Sequence, residues 1–177
     1  MATYGAAELA ASFRTVRKNT IQIAEELLEE QYGFSAAAGV RTVAQLLTHM
    51  AVSTRIWEAI NSSGLTTLVG FDFMGPFMAN MAEEQTPRTK AEILGLLTSE
   101  GEKFASYLAG LSEEHLAGWV TQPDGVSGKS RLESLMGAKE HEMHHRGQLM
   151  LIERMHGITP HLTRVMQERF AQMSAKA

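Results

Sequence analysis

Three short signatures limit how this chain can fold. Thr42-x-x-Gln45, Thr89-x-x-Glu92 and Ser130-x-x-Glu133 each place a hydroxyl at a helix N-cap. Three residues on, an amide or carboxylate can return a hydrogen bond to the cap's own backbone N–H. Behind each cap, apolar residues recur at three- and four-residue steps, and ahead of the first the same spacing carries Leu9, Phe13, Val16, Thr20, Ile23 and Leu27. These patterns predict long helices over residues 7–31, 42–61, 89–109 and 130–156, with a short terminal helix over 161–173. Gly33 is expected to cap the first in the left-handed conformation, and Gly157 followed by Pro160 to end the fourth. Strand-like alternation is nearly absent, and Pro123-Asp124-Gly125 marks a turn. The expectation is an all-α four-helix bundle, one domain over residues 1–177.

The connections order the helices. The first two are joined by a short loop, whereas residues 62–88 between the second and third are too many for a hairpin. A crossover of that length can run along the bundle, making helices two and three parallel in an up-down-down-up arrangement. It contains GFDFMGPFMANM, too apolar for a solvated linker, so Phe71, Phe73 and Phe77 are expected either to seal the side of the bundle or to wall a substrate pocket.

Composition excludes several classes. The chain has no cysteine, so any metal would sit on histidine, carboxylate or water, and a reducing cytoplasm is the expected setting. No apolar run reaches the roughly 18–20 residues of a membrane span, and the start does not read as a signal peptide. A net charge of −4 without a Lys/Arg stripe speaks against nucleic acid as a partner.

Chemistry concentrates in HEMHHRGQL, residues 141–149. Its first five letters spell HExxH, the zinc-protease helix with Glu142 as base; the alternative unit is HxxxHRGQ. At about 100° per residue, His141 and His145 fall within about 40° of one another, in company with Ser134, Ala138, Gln148 and Ile152. That face points inward. Lys139, Glu142, Arg146 and Glu153 form a more polar flank at about 100–160°. Two neutral imidazoles buried side by side need partners, and a cation shared at i,i+4 spacing supplies one. A third ligand is expected from His49, a lone histidine on the core stripe of the second helix. His144 is less well aimed, and His115, His156 and His161 lie at helix ends or in loops, where solvated roles suit them. Gln148 can orient a ligand imidazole. Gly147 is expected to admit a neighbouring helix, and Arg146 to pair with Glu142 or another helix.

LLTHM at 46–50, HEMHHRGQL on the fourth helix and LIERMHGITP after it resemble the DinB/YfiT-like superfamily of metal-binding four-helix bundles, over nearly the whole chain. The resemblance implies a metal triad of His49, His141 and His145, the up-down-down-up bundle, and frequent dimers. It extends to metal-dependent transferases and isomerases that use low-molecular-weight thiols. The protease reading lacks support, because no edge strand is expected to align a peptide and the longer metzincin motif fails at Gln148.

Three histidines leave a coordination position open, as in catalytic zinc sites. The expected function is thus a metal-dependent thiol S-transferase or hydrolase acting on a small molecule, with Zn, Ni or Fe as the ion. The rival readings are a non-catalytic, stress-related metal- or ligand-binding bundle and a dimer scaffold pinned by its metal. Met136, Met143 and Met150, with Leu132, form a second apolar ridge opposite the histidines, expected to support a homodimer.

Overall fold

The computed structural model describes residues 4–175. Helix α1 spans Ala6–Glu26, followed by α2 (Val43–Val52), α3 (Thr54–Ser62), α4 (Met74–Gln85), α5 (Lys90–Ala109) and the short α6 (Glu113–Ala117). Strands β1 (Trp119–Thr121) and β2 (Gly128–Ser130) precede α7 (Arg131–Met155) and α8 (His161–Ser174). All three expected caps form: the side chains of Thr42, Thr89 and Ser130 accept from the backbone N–H groups of Gln45, Glu92 and Glu133.

Helices α1, α2–α3, α5 and α7 make the bundle, with α1 packed on α5 and α7, and α2–α3 packed on the same two. Lys90 at the start of α5 reaches the carbonyls of Glu25 and Leu27 at the end of α1, while Arg14 pairs with Glu102, so α1 and α5 are antiparallel. Arg55 pairs with Glu100 and Glu58 with Lys103, in the same order along both helices, so α3 and α5 are parallel. His49 meets His141 while Trp57, further along, packs on Gly137, so α2–α3 runs against α7. The bundle is up-down-down-up.

Two apolar clusters fill it. One gathers Ile23, Leu47, Met50, Leu97 and Leu149; the other gathers Leu9, Phe13, Phe104, Leu135 and Ala138. A buried polar layer lies between them along the chain, containing Arg17, Thr20, Glu142 and His145.

Some local expectations give way to tertiary contacts. The first helix stops at Glu26 and a 3₁₀ turn at Glu29–Gln31 replaces its last turn, with the Tyr32 hydroxyl donating back to the Ala24 carbonyl. Gly33 accordingly does not adopt a left-handed cap, whereas Gly157 does, with φ +76°. The second helix is interrupted at Ser53. There the Met50 carbonyl accepts from Arg17 Nη2 and from the Ser53 hydroxyl, and Thr54 bonds back to Ala51, so side chains compete with the regular ladder.

The crossover is partly helical. Helix α4 packs along α2 and is tied to it by Asn80, whose amide donates to the Val52 carbonyl at 3.2 Å. Phe71 and Phe73 seal one end of the bundle against Ile60, Leu68 and Val120, and Phe77 is exposed. The β1–β2 hairpin, with strands too short to show alternation, pairs Trp119 with Ser130 and Thr121 with Gly128. Its turn has Gly125 at φ +71° and the Asp124 carboxylate accepting from Val126 and Ser127. Of the expected methionine ridge only Met143 is exposed; Leu132, Met136 and Met150 pack against the two clusters. No helix among the described residues is long and apolar enough to cross a membrane.

Candidate metal centre

His141 and His145 sit one turn apart on α7 and His49 faces them from α2. Each offers a ring nitrogen, and the three atoms lie within 4.8 Å of one another. His141 Nε2 is 3.0 Å from His49 Nε2 and 3.1 Å from His145 Nε2. The outer nitrogens are held from behind. His49 Nδ1 donates to Glu84 Oε1 at 2.7 Å, and His145 Nδ1 to Gln148 Oε1 at 2.9 Å. Because a carboxylate and an amide oxygen can only accept, both rings carry their proton on Nδ1 and aim the Nε2 lone pair inward.

This arrangement fits a cation. His141 Nε2 can donate one hydrogen at most, so at least one of its two Nε2 contacts sets lone pair against lone pair. Its buried Nδ1, which carries the proton when Nε2 binds an ion, has no hydrogen-bond partner among the described residues. Nitrogens sharing one ion through bonds of about 2.0–2.1 Å stand about 2.9–3.4 Å apart for ordinary coordination angles, which matches the two contacts. All three imidazoles are held below their ordinary pKa, chiefly by burial, and His141 is pushed down to about 3 with added repulsion from His145 and His49. The rings are therefore neutral at physiological pH, as ligands must be.

Glu84, on α4, carries weight that the sequence does not advertise. It is 6% exposed, accepts from His49, and accepts from Arg41 Nε at 2.6 Å. The apolar crossover motif stops short of it, and the available signal is its i,i+4 relation to Asn80, the other buried polar residue of that helix. A cavity of about 640 Å³ opens beside the site, lined by His145, Gln148 and Leu151 of the fourth bundle helix, by Gln45 and Leu46 of α2, and by Glu84. None of the three crossover phenylalanines lines it; α4 contributes Met81, Glu84 and Gln85 instead.

The structure corrects several sequence expectations around this site. Glu142 is not on a polar flank: it is 2% exposed and receives Arg17 Nε on both carboxylate oxygens, at 2.8 and 3.1 Å. A wheel centred on His141 puts it outward, but buried Leu135 and Leu149, at about 120° and 80°, centre the inward face near about 70° and put His141 at its edge. Glu142 is thus committed to Arg17, which also displaces the expected Arg146–Glu142 pair. Gly147 has open space where a side chain would project, so no neighbour needs its small size. Close approaches occur at Gly137, against Trp57, and at Gly101, against Arg17. His144 is exposed and within 3.3 Å of the Gln148 amide. His161, expected in solvent, is buried and paired with Asn19.

Fold and site together define a class: a four-helix bundle that gathers three imidazoles from two of its helices at one level. The chain belongs to the DinB family, whose model matches residues 1–175. Among solved structures it is similar to YjoA, a DinB-like protein of Bacillus subtilis, at 22% identity over 86% of this chain and 94% of that one, with a TM-score of 0.64. It is also similar to YfiT of Bacillus subtilis, described as a probable metal-dependent hydrolase with an unusual four-helix bundle topology. That likeness has 16% identity over 90% of this chain and 91% of the other, with a TM-score of 0.70. At such identities the likeness carries the fold. Among curated proteins there is no match.

Proposed function

We propose that this DinB-family chain is a metal-dependent enzyme acting on small molecules, with His49, His141 and His145 holding one divalent ion. The observation that carries the reading is the convergence of three Nε2 atoms beside a cavity of about 640 Å³, within the usual range for a small-molecule pocket. A bound ion would supply Lewis acidity, lowering the pKa of a water or of a thiol cosubstrate, so hydrolysis and thiol transfer both lie within its chemistry. The protein's own groups do the positioning. Glu84 fixes the His49 tautomer and Gln148 that of His145. Met81, Leu46 and Leu151 give the cavity apolar walls. The description of YfiT as a probable metal-dependent hydrolase supports the same reading.

The test is metal content in the wild type and in each single His→Ala variant, followed by turnover with ester, amide and thiol-acceptor substrates. About one ion per chain is expected, lost in each variant, with turnover that vanishes on chelation and returns on reloading. Full retention of metal in any one variant removes that histidine from the site. Turnover indifferent to chelation overturns the reading. A homodimer is part of the proposal, and sedimentation of the wild type against Met143→Glu tests the exposed part of the methionine ridge.

A further inference from the structure

The cavity beside the histidines has a chemical bias. Among the described residues Arg41 is its single cationic lining residue, and its other polar groups are neutral amides, His145 and Glu84. Glu84 is already engaged by His49 Nδ1 and by Arg41. The guanidinium is used along one edge only, with Nε at 2.6 Å and Nη2 at 3.4 Å from the two Glu84 oxygens. Its Nη1 has no hydrogen-bond partner among the described residues. Arg41 keeps 36% of its side chain exposed, while Glu84 beneath it is buried.

An arginine gripped along one edge by a buried carboxylate is held in place, with its second edge presented as a planar pair of donors. That geometry matches a carboxylate, which takes two parallel N–H bonds. Little side-chain entropy remains to be lost on binding, because Glu84 has already immobilised the fork. The Glu84 carboxylate that grips Arg41 also holds His49 Nδ1 at 2.7 Å, so whatever Arg41 binds lies near the histidine end of the cavity. The remaining wall is apolar, with Val40, Leu46, Met81, Leu151 and Ile152 lining it.

We infer that Arg41 is the substrate anchor of this site, and that the substrate is a small carboxylate with an apolar body lying on the Leu46–Met81–Leu151 wall. The inference rests on the reading of the cavity as a small-molecule site and gives that site its substrate class.

Octanoate and octanamide separate the charge from the shape. Calorimetric titration of the metal-loaded full chain is expected to show octanoate binding at least tenfold more tightly than octanamide. In Arg41→Gln that preference is expected to fall to less than threefold at unchanged metal content, and Arg41→Lys, which keeps the charge but loses the fork, should lie between. Equal affinities in the wild type overturn the proposal without any variant. A full preference in Arg41→Gln overturns it too, placing the carboxylate elsewhere, the metal included. If Arg41→Gln loses metal, Arg41→Lys at full metal content decides: an undiminished preference there counts against the fork. Octanoate has no bond to hydrolyse, and cleavage of octanamide during the titration is followed by ammonia release, so binding with this preference but no turnover of any ester, amide or thiol acceptor would sink the enzymatic reading and leave the anchor standing. Turnover without the preference would do the reverse.

Discussion

Arg17 and Glu142 form a buried ion pair across 125 residues of sequence, with the guanidinium Nε 2.8 Å from one carboxylate oxygen and 3.1 Å from the other. Both terminal nitrogens of Arg17 donate to the backbone, Nη1 to the Leu97 carbonyl at 2.8 Å and Nη2 to that of Met50 at 2.9 Å. One side chain on α1 therefore touches α2, α5 and α7. Its partners Met50 and Glu142 are chain neighbours of His49 and His141, so the same bonds set the spacing of the helices that carry the imidazoles.

Removing either member of this pair leaves the other charged and buried. Arg17→Met is expected to destabilise the protein by roughly 3–5 kcal/mol in chemical denaturation. Glu142→Gln keeps the shape and some hydrogen bonding, and should cost less. Under native conditions with excess metal, Glu142→Gln should retain its ion and its turnover. A hundredfold fall in turnover in a folded, metal-loaded Glu142→Gln protein would revive Glu142 as a general base and contradict its commitment to Arg17.

Glu84 orients His49 from behind through a 2.7 Å hydrogen bond. Such partners of metal ligands typically matter by about 10–100-fold in metal affinity. Glu84→Gln should therefore weaken binding by about tenfold, and Glu84→Ala by more, in competition with a chromophoric chelator. An affinity unchanged in both would mean that the His49 tautomer is set by something other than Glu84.

Two glycines make opposite predictions. A Cβ at position 101 would lie 2.7 Å from Arg17 Cγ, in the buried polar layer, while one at position 147 would meet nothing within 4 Å. Gly101→Ala is expected to lose about 1–3 kcal/mol by crowding a side chain that cannot move without breaking its bonds. Gly147→Ala should gain up to about 1 kcal/mol, as alanine replaces glycine inside a helix. Thermal unfolding of both variants checks the pair, and a destabilised Gly147→Ala would restore the close approach expected from sequence.

Glu153 lies fully buried on α7 with neither carboxylate oxygen hydrogen-bonded among the described residues, and burial raises its pKa from 4.5 to about 7, with the nearby Glu26 adding to the effect. A carboxyl with a higher pKa in the folded state binds its proton more tightly there. Its contribution to stability is complete below the unfolded value of 4.5 and is lost as pH rises through about 7. Glu153→Gln, neutral at every pH, should be more stable than the wild type near about pH 8, by roughly 1–3 kcal/mol, with the gap closing towards about pH 5. Parallel denaturation curves across that range, with no convergence, would show that Glu153 is already ionised in the folded protein.

The sequence by itself determined the helices, because their signals are local. The capping hydroxyls of Thr42, Thr89 and Ser130 bond to N–H groups three residues away, a distance that spacing alone specifies. It also placed His141 and His145 one turn apart on an inward face, and His49 on the inward face of another helix. What only the tertiary structure decided was which polar residues share that interior. Periodicity reads a charge as outward, since a lone buried charge is too costly, and so it put Glu142 and Glu153 on a flank and said nothing of Arg17, Arg41 or Glu84. Glu142 can enter the core because Arg17 arrives from another helix to neutralise it. Glu84 can stand behind His49 because the crossover helix packs along α2 and Arg41 meets it there. Those pairings span 125 and 43 residues, and no pattern within a single helix records them.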